Sequence, residues 1–108
     1  MIPLELFNGP EMETRRKNAF AKAEKEKPVV TRLADGPRTE FYSVNQYVVQ
    51  ILTDLDQQRF IECNCAAGSP PIDPETELPA REAQPCYHSA ATLLHIERES
   101  NASSNDRH

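Results

Sequence analysis

The sequence predicts an α+β domain in which an antiparallel hairpin or a three-stranded meander lies between an N-terminal and a C-terminal helix. β-branched and aromatic residues alternate with polar ones in the middle of the chain, which is typical of a half-buried strand. Helix-forming residues dominate a segment on either side of that region. With 108 residues, 38% of them apolar and no tryptophan, the chain has room for one domain with a thin core.

Residues 1–37 are predicted to form an irregular lead-in and a basic helix. Two prolines and one glycine within Met1–Pro10 indicate the irregular part. The composition from Glu11 to Lys27 favours a helix, for which Thr14 is a candidate N-cap and which Pro28 ends. Because the apolar stripe of this helix is narrow, we expect it to pack weakly or to be loosely attached.

The basic side chains of this helix are candidate contacts for nucleic acid. Between Arg15 and Arg38, eight basic residues stand against three acidic ones, although the whole chain has a net charge of −5. Such a cluster either binds phosphates or forms a solvated helix face with interleaved Lys and Glu. The candidate phosphate contacts are Arg15, Arg16, Lys17, Lys22, Lys25 and Lys27.

The strands follow from Val29 onward. An extended stretch begins there and ends at the turn signal Asp35-Gly36-Pro37. The next segment, TEFYSVNQYVVQILTD, has period two, and Asn45-Gln46 within it is either a tight turn or part of one continuous strand. The polar segment Asp54–Gln58 has the length of a hairpin connection, and the strand RFIEC follows it.

A proline-rich loop from Ala66 to Pro85 interrupts the regular structure. It contains five of the nine prolines, so neither a helix nor a ladder strand is expected within it. A loop of this length in a small domain needs its two ends tied together chemically. Apolar residues at helical spacing then predict a helix over Tyr87–Glu99, and the polar residues 100–108 are predicted to be a disordered tail.

The two ends of this loop carry all three cysteines. Cys63 and Cys65 precede it, and Cys86 and His88 follow it, in the pattern C-x-C…C-x-H. Three thiolates and one imidazole are a ligand set of closed structural zinc sites. We therefore predict one structural Zn²⁺ ion and a zinc-stapled ββα-type domain; the alternative is three buried thiols that pack as small apolar groups. His95, two helical turns after His88, lies too far along the helix to be a ligand.

The cysteine pattern and its flanking segments resemble the SWIM-type zinc finger, of which the chain would be a small stand-alone member. The resemblance covers roughly residues 38–98 and implies a domain over 38–99. Two features depart from the family pattern: Tyr87 stands where a basic residue is frequent, and the 66–85 loop is long and acidic. The residues that carry the resemblance are Phe41-Tyr42-Ser43-Val44, Tyr47-Val48-Val49, Cys63-Asn64-Cys65, Pro85-Cys86-Tyr87-His88 and Ala90 to Ile96.

The resemblance implies a zinc-dependent binding module that contacts DNA or proteins. Four soft ligands leave no open coordination position, and the sequence contains no G-x-S-x-G or H-E-x-x-H motif, so we predict that the protein is not an enzyme and has no small-molecule substrate. We expect a non-catalytic module that contacts nucleic acid through its basic N-terminal segment. The alternative is a protein–protein interaction adaptor that uses the acidic, proline-rich loop.

The sequence also predicts the cellular location of the protein. No apolar stretch is long enough to span a bilayer, and the first residues lack the pattern of a signal peptide. We therefore expect a soluble cytoplasmic protein with reduced cysteines and no membrane partner.

Overall fold

A computed structural model describes residues 1–105 of the chain, and the side chains of residues 1–100. The described residues contain no helix that is both long enough and apolar enough to cross a membrane. The predicted α+β class is confirmed. The elements in chain order are β1 (Ile2–Pro3), α1 (Leu4–Phe7), a 3₁₀ turn (Pro10–Met12), α2 (Glu13–Glu26), β2 (Val30–Asp35), β3 (Thr39–Val44), β4 (Tyr47–Thr53), β5 (Arg59–Cys63) and α3 (Tyr87–Asn105).

The strands form one five-stranded antiparallel sheet in the order β1-β5-β4-β3-β2. Strands β2 to β5 are a meander of consecutive hairpins, and β1 adds to the edge of β5 by pairing Ile2 with Ile61. The sheet is therefore larger than the predicted hairpin or three-stranded meander. The pairing of β2 shifts register between Arg32 and Ala34, which leaves Leu33 unpaired.

Two of the three connections within the meander have local stabilisation, and at Asn45-Gln46, where the sequence allowed a turn or a continuous strand, the structure forms the turn. Asn45-Gln46 connects β3 to β4, and the φ of 56° at Asn45 is one that asparagine adopts more readily than most residues. In the next connection, Asp54 Oδ1 accepts hydrogen bonds from the backbone amides of Asp56 and Gln58, both at 2.9 Å. These local bonds satisfy the turn without help from the core.

The core lies between one face of the sheet and the helices. The strand register places Cys63, Val49 and Tyr42 in one row across this face, and all three side chains are buried. Helix α3 packs against strands β2 to β5, and α2 packs along α3. The narrow apolar stripe of α2 is therefore sufficient for tertiary packing, with Ala19 and Ala23 buried. This buried row of side chains therefore ends at Cys63, the last residue of β5.

The N-terminal segment is ordered and part of the core, so the prediction of an irregular lead-in is wrong. Phe7 is completely buried, and its ring contacts that of Phe20 edge to face at 6.5 Å. The Arg16 guanidinium donates hydrogen bonds to the backbone carbonyls of Phe7 and Gly9 at 2.8 and 2.7 Å. A two-residue strand and a one-turn helix are too short to produce a periodic sequence pattern, which is why they were not predicted.

The ends of α2 agree only in part with the sequence analysis. Thr14 lies inside the first turn and does not cap the helix, because the 3₁₀ turn places Met12 at the N-cap position. The predicted end is confirmed: Lys27 has a φ of 47° after the last helical residue, and Pro28 follows it. The boundary predicted between residues 37 and 38 falls in the β2–β3 connection, so residues on both sides of it belong to one sheet.

The 66–85 loop contains no helix or multi-residue strand, as predicted; its one ladder contact is an isolated bridge between Ile72 and Pro79. Helix α3 begins at the predicted residue, Tyr87, but continues past Glu99 to Asn105. Residues 100–105, which we expected to be disordered, are therefore helical, because each residue added to an existing helix gains a backbone hydrogen bond. Residues 106–108 lie outside the described residues.

Candidate metal centre

The structure brings all four predicted ligands, Cys63, Cys65, Cys86 and His88, into one buried group. Their ligand atoms lie within 4.8 Å of one another. The distance from Cys63 Sγ to His88 Nδ1 is 3.7 Å, and an ion with tetrahedral ligands, about 2.3 Å from sulfur and 2.0 Å from nitrogen, would separate these two atoms by about 3.5 Å. These residues could therefore hold one metal ion.

Two cysteines of the group come from the end of a strand. Cys63 is the last residue of β5, and Cys65 lies in the turn that follows. The backbone of Gly68 packs directly on Cys63: a Cβ atom at Gly68 would lie 2.5 Å from the carbonyl oxygen of Cys63. Gly68 N also donates to Cys65 Sγ at 3.4 Å, and Ser69 Oγ donates to the Cys63 carbonyl at 2.8 Å. Gly68 and Ser69 thus shape the C-x-C half of the site.

The other two ligands are set by the start of α3. Cys86 immediately precedes the helix, and the backbone amide of Ser89 donates to Cys86 Sγ at 3.4 Å, with the Ser89 hydroxyl at the same distance. Hydrogen bonds from the Cys63 thiol and from Ser89 lower the pKa of Cys86 from 9.0 to about 4. The hydrogen bond to Cys86, together with burial, raises the pKa of Cys63. The site therefore favours one thiolate at Cys86, the form that binds metal.

The imidazole of His88 is enclosed by two tyrosines. The ring centroids of Tyr47 and Tyr87 lie 4.4 and 4.1 Å from that of His88. Among the described residues His88 Nε2 has no hydrogen-bond partner, and Nδ1 lies 3.7 Å from Cys63 Sγ. Nδ1 is therefore the nitrogen that would bind an ion held by the three cysteines.

Tyr87 connects the site to α2. Its hydroxyl accepts a hydrogen bond from Asn45 Nδ2 at 3.2 Å, and Lys22 Nζ lies 4.4 Å from the centre of its ring. A cation from α2 therefore lies against the ring of Tyr87. His95, by contrast, contacts the Tyr42 ring and Glu99 and lies outside the cluster, as predicted.

The 66–85 loop closes on itself near the metal ligands. Gln84 N donates to the Ala67 carbonyl at 2.8 Å, and Ala80 N donates to the Pro71 carbonyl at 2.9 Å. The two pairs of candidate ligands flank this closed loop in sequence. A bound ion would therefore fix both loop ends to the same point of the sheet.

The loop and the N-terminal segment enclose an open cleft of about 790 Å³. Its walls carry apolar side chains from both segments, and several of these side chains are exposed. Ile72 is 59% and Leu78 is 64% exposed on the loop side. The principal apolar lining residues are Met1, Leu6, Met12, Ile72, Leu78 and Pro79.

The six basic residues predicted to contact nucleic acid do not form one uniform surface. Arg16 is bound to two backbone carbonyls, and Lys17 pairs with Glu13 at 2.9 Å. Arg15, Lys25 and Lys27 are exposed and have no acidic partner among the described residues. Three of the six basic side chains therefore have no ion pair or side-chain hydrogen bond among the described residues. A further one, Lys22, lies over the ring of Tyr87.

Gly68, Ser89 and Arg16 support the site or its surroundings, yet the sequence analysis did not assign those roles. The role of Gly68 could have been inferred from the sequence, because it is the only glycine of the 66–85 loop and closely follows the C-x-C motif. Ser89 and Arg16 act through contacts that depend on the tertiary fold, for which the sequence carries no local pattern.

Protein-family models, curated proteins and solved structures were compared with this chain, and none of them matches it. Fold and site therefore define the protein by class. It is a small α+β domain with a buried Cys₃His group that could hold one metal ion.

Proposed function

We propose that the protein is a SWIM-type, structural-zinc binding module without catalytic activity, which recognises a partner protein in the cytoplasm through the 66–85 loop. One observation carries this proposal: the candidate ligands flank the loop whose apolar side chains line the cleft. In this proposal the ion stabilises the domain and shapes the recognition surface at the same time.

The choice of zinc rests on the chemistry of the donors. Three thiolates and one imidazole suit Zn²⁺, whereas carboxylate and carbonyl oxygens would suit Mg²⁺ or Ca²⁺. All four candidate ligands are buried, and together they would fill a tetrahedral coordination shell, which would leave no position for a substrate or a reactive water. Structural zinc contributes an apparent binding free energy on the order of 10–16 kcal/mol, which is as large as the whole stability of a typical domain, about 5–15 kcal/mol.

A protein partner is supported by the surface beside the site. Monomeric proteins rarely leave large aliphatic side chains gathered around one cleft unless the cleft binds something. Ile72 and Leu78 are such side chains, and proline-rich segments lose little conformational entropy when they dock. The acidic charge of the loop disfavours polyanions at this surface.

Metal content and unfolding test the proposal. Native mass spectrometry of the purified protein should find one zinc ion per chain, and chelation should abolish cooperative unfolding. His88→Ala and Cys86→Ser should each weaken zinc binding by at least about tenfold, because one ligand is lost. His95→Ala is the matched control and should retain zinc. Equal zinc affinity for His88→Ala and His95→Ala would contradict the proposed site.

Nucleic-acid binding by α2 is a second candidate function. The observation that favours it is the set of basic side chains without an acidic partner, Arg15, Lys25 and Lys27, next to Lys22 and the Tyr87 ring. Aromatic rings beside cations are typical of surfaces that bind single strands. If these residues contact duplex phosphates, log K should fall with log salt by about 0.9 per contact.

The test measures binding to duplex and single-stranded DNA at two salt concentrations. Lys25→Ala should reduce the salt slope by about one unit, whereas Lys17→Ala, whose partner is Glu13, should change it less. Binding that does not respond to salt would eliminate this second function.

A further inference from the structure

We infer that the cleft between the 66–85 loop and the N-terminal segment binds a partner peptide that carries large apolar side chains flanked by Lys or Arg. The inference rests on the proposed function and specifies its partner. Three properties of the cleft support it: apolar walls, a rigid frame and an acidic rim.

The two walls of the cleft present aliphatic side chains to each other. Met1 and Leu6, 44% and 36% exposed, stand on the N-terminal side, and Ile72 and Leu78 stand on the loop side. A volume of about 790 Å³ accommodates several apolar side chains of a ligand. Docking would remove these exposed groups from water, which is the main favourable contribution to association.

Both walls are held in place before any ligand arrives. On the N-terminal side, the buried Phe7 ring and the Arg16 hydrogen bonds to Phe7 and Gly9 fix the chain. On the loop side, Asp73 N donates to the Leu78 carbonyl at 2.8 Å, and Ile72 pairs with Pro79. Because the cleft is preformed, binding orders few additional residues and loses little affinity to entropy.

The charge around the cleft determines which residues should flank the apolar side chains of the peptide. Glu62 and Glu82 line it, and Asp73, Glu75 and Glu77 extend the acidic surface along the loop. Two cations offset the carboxylates of the lining: Arg81, whose guanidinium is hydrogen-bonded to the Ala66 carbonyl, and the Met1 ammonium, 4.0 Å from Glu62 Oε1. The excess of carboxylates therefore lies on the loop beside the cleft, at Asp73, Glu75 and Glu77, where it attracts Lys and Arg and repels acidic segments. A second copy of this chain, with a net charge of −5, complements the rim less well than a basic peptide does.

The experiment selects ligands from a displayed library of short random peptides with the zinc-loaded protein. We expect the enriched peptides to combine at least two large apolar residues with a net positive charge. Enriched peptides are then synthesised with a fluorescent label, and their Kd is measured by anisotropy. Ile72→Asp and Leu78→Asp should each raise Kd by about tenfold or more, because they place a charge in an apolar anchor site. Glu82→Gln should weaken binding and reduce its salt dependence.

Leu55→Asp is the matched control. Leu55 is 73% exposed in the β4–β5 connection and does not line the cleft, so its variant should bind like the unaltered protein. A deletion variant supplements the substitutions: residues 72–79 are replaced by two glycines, since the backbones of Pro71 and Ala80 are already hydrogen-bonded at 2.9 Å. It should retain zinc and lose peptide binding.

The outcomes separate this inference from the proposed function. Enrichment of acidic or purely polar peptides, or equal Kd values for Leu78→Asp and Leu55→Asp in zinc-loaded protein, overturns the peptide site while the zinc module stands. A dimer that dissociates on Leu78→Asp shows that a second copy fills the cleft, which also overturns it. Absence of zinc from the unaltered protein instead contradicts the proposed function itself.

Discussion

Asn64 is hydrogen-bonded to Val48 through both its backbone and its side chain. Asn64 N donates to the Val48 carbonyl at 3.1 Å, and Val48 N donates to Asn64 Oδ1 at 2.9 Å. The residue between the first two cysteines therefore extends the β4–β5 ladder one step beyond the pair formed by Val49 and Cys63. The sheet thus directs the C-x-C turn, and the turn does not depend on the metal alone.

This relationship predicts different effects for two substitutions of Asn64. Asn64→Ala removes the acceptor of the Val48 amide and should lower the free energy of unfolding of the zinc form by about 1 kcal/mol. Asn64→Asp retains an acceptor oxygen and should lose less. Denaturant unfolding and competition with a chromophoric chelator measure stability and zinc affinity. If Asn64→Asp is as destabilised as Asn64→Ala, the hydrogen bond is not the cause.

Gly68 should tolerate no side chain. A Cβ atom there would lie 2.5 Å from the Cys63 carbonyl oxygen and 2.9 Å from Cys63 Cβ, so Gly68→Ala must displace a ligand. We expect a loss of about 1–3 kcal/mol in stability and a weaker zinc complex. Gly36→Ala is the control, because nothing lies within 4 Å of its Cβ position. Equal thermal unfolding of the two variants would argue against the close contact.

Arg16 is expected to act as a structural residue and not as a phosphate contact. Its guanidinium donates to two backbone carbonyls of the N-terminal segment, so Arg16→Ala should destabilise the protein by about 1.5–3 kcal/mol. Arg15→Ala changes an exposed neighbour and should stay within about 0.5 kcal/mol of the unaltered protein. Chemical denaturation compares the two variants. A larger loss for Arg15→Ala would reverse this assignment.

Zinc affinity should fall steeply as the pH falls. If the metal-free chain loses the site, all three cysteines have ordinary thiol pKa values, and each must release a proton on binding. Between about pH 8 and pH 6.5, below which the free histidine also binds a proton, the apparent association constant should then fall by about a thousandfold per pH unit. If the metal-free site stayed folded, Cys86, with a pKa of about 4, would already be ionised, and the fall would be about a hundredfold. Chelator competition at several pH values distinguishes the two slopes.

The sequence predicted the elements whose pattern is local. The β5 strand and the start of α3 follow from alternation and helical spacing, and the structure confirms them; at Asn45-Gln46, where the sequence allowed a turn or a continuous strand, the structure forms the turn. Strand β1 and helix α1 were not predicted, because they gain their stability from pairing with Ile61 and from the burial of Phe7. Such elements depend on residues that are distant in sequence, so a short stretch of sequence does not predict them.

In the candidate site, too, some features follow from the local sequence and others only from the tertiary fold. The ligand set could be recognised from residue type and spacing alone, since the chemistry of thiolates and imidazole restricts the possibilities. The supporting contacts of Gly68, Asn64 and Ser89 arise only when β5, the loop and α3 meet. The cleft could not be predicted from the sequence either, because one of its walls is the N-terminal segment, which was predicted to be irregular.

Strand β2 lies at the outer edge of the sheet, where unsatisfied backbone groups invite neighbouring molecules to add further strands and, eventually, fibrils. The register shift at Arg32 and Ala34 interrupts the regular spacing of these groups, and Pro28 and Pro37 stand shortly before and after the strand. An incoming chain would therefore find only short, offset stretches to pair with. We therefore expect the irregularity of β2 to disfavour edge-to-edge pairing between molecules of this protein.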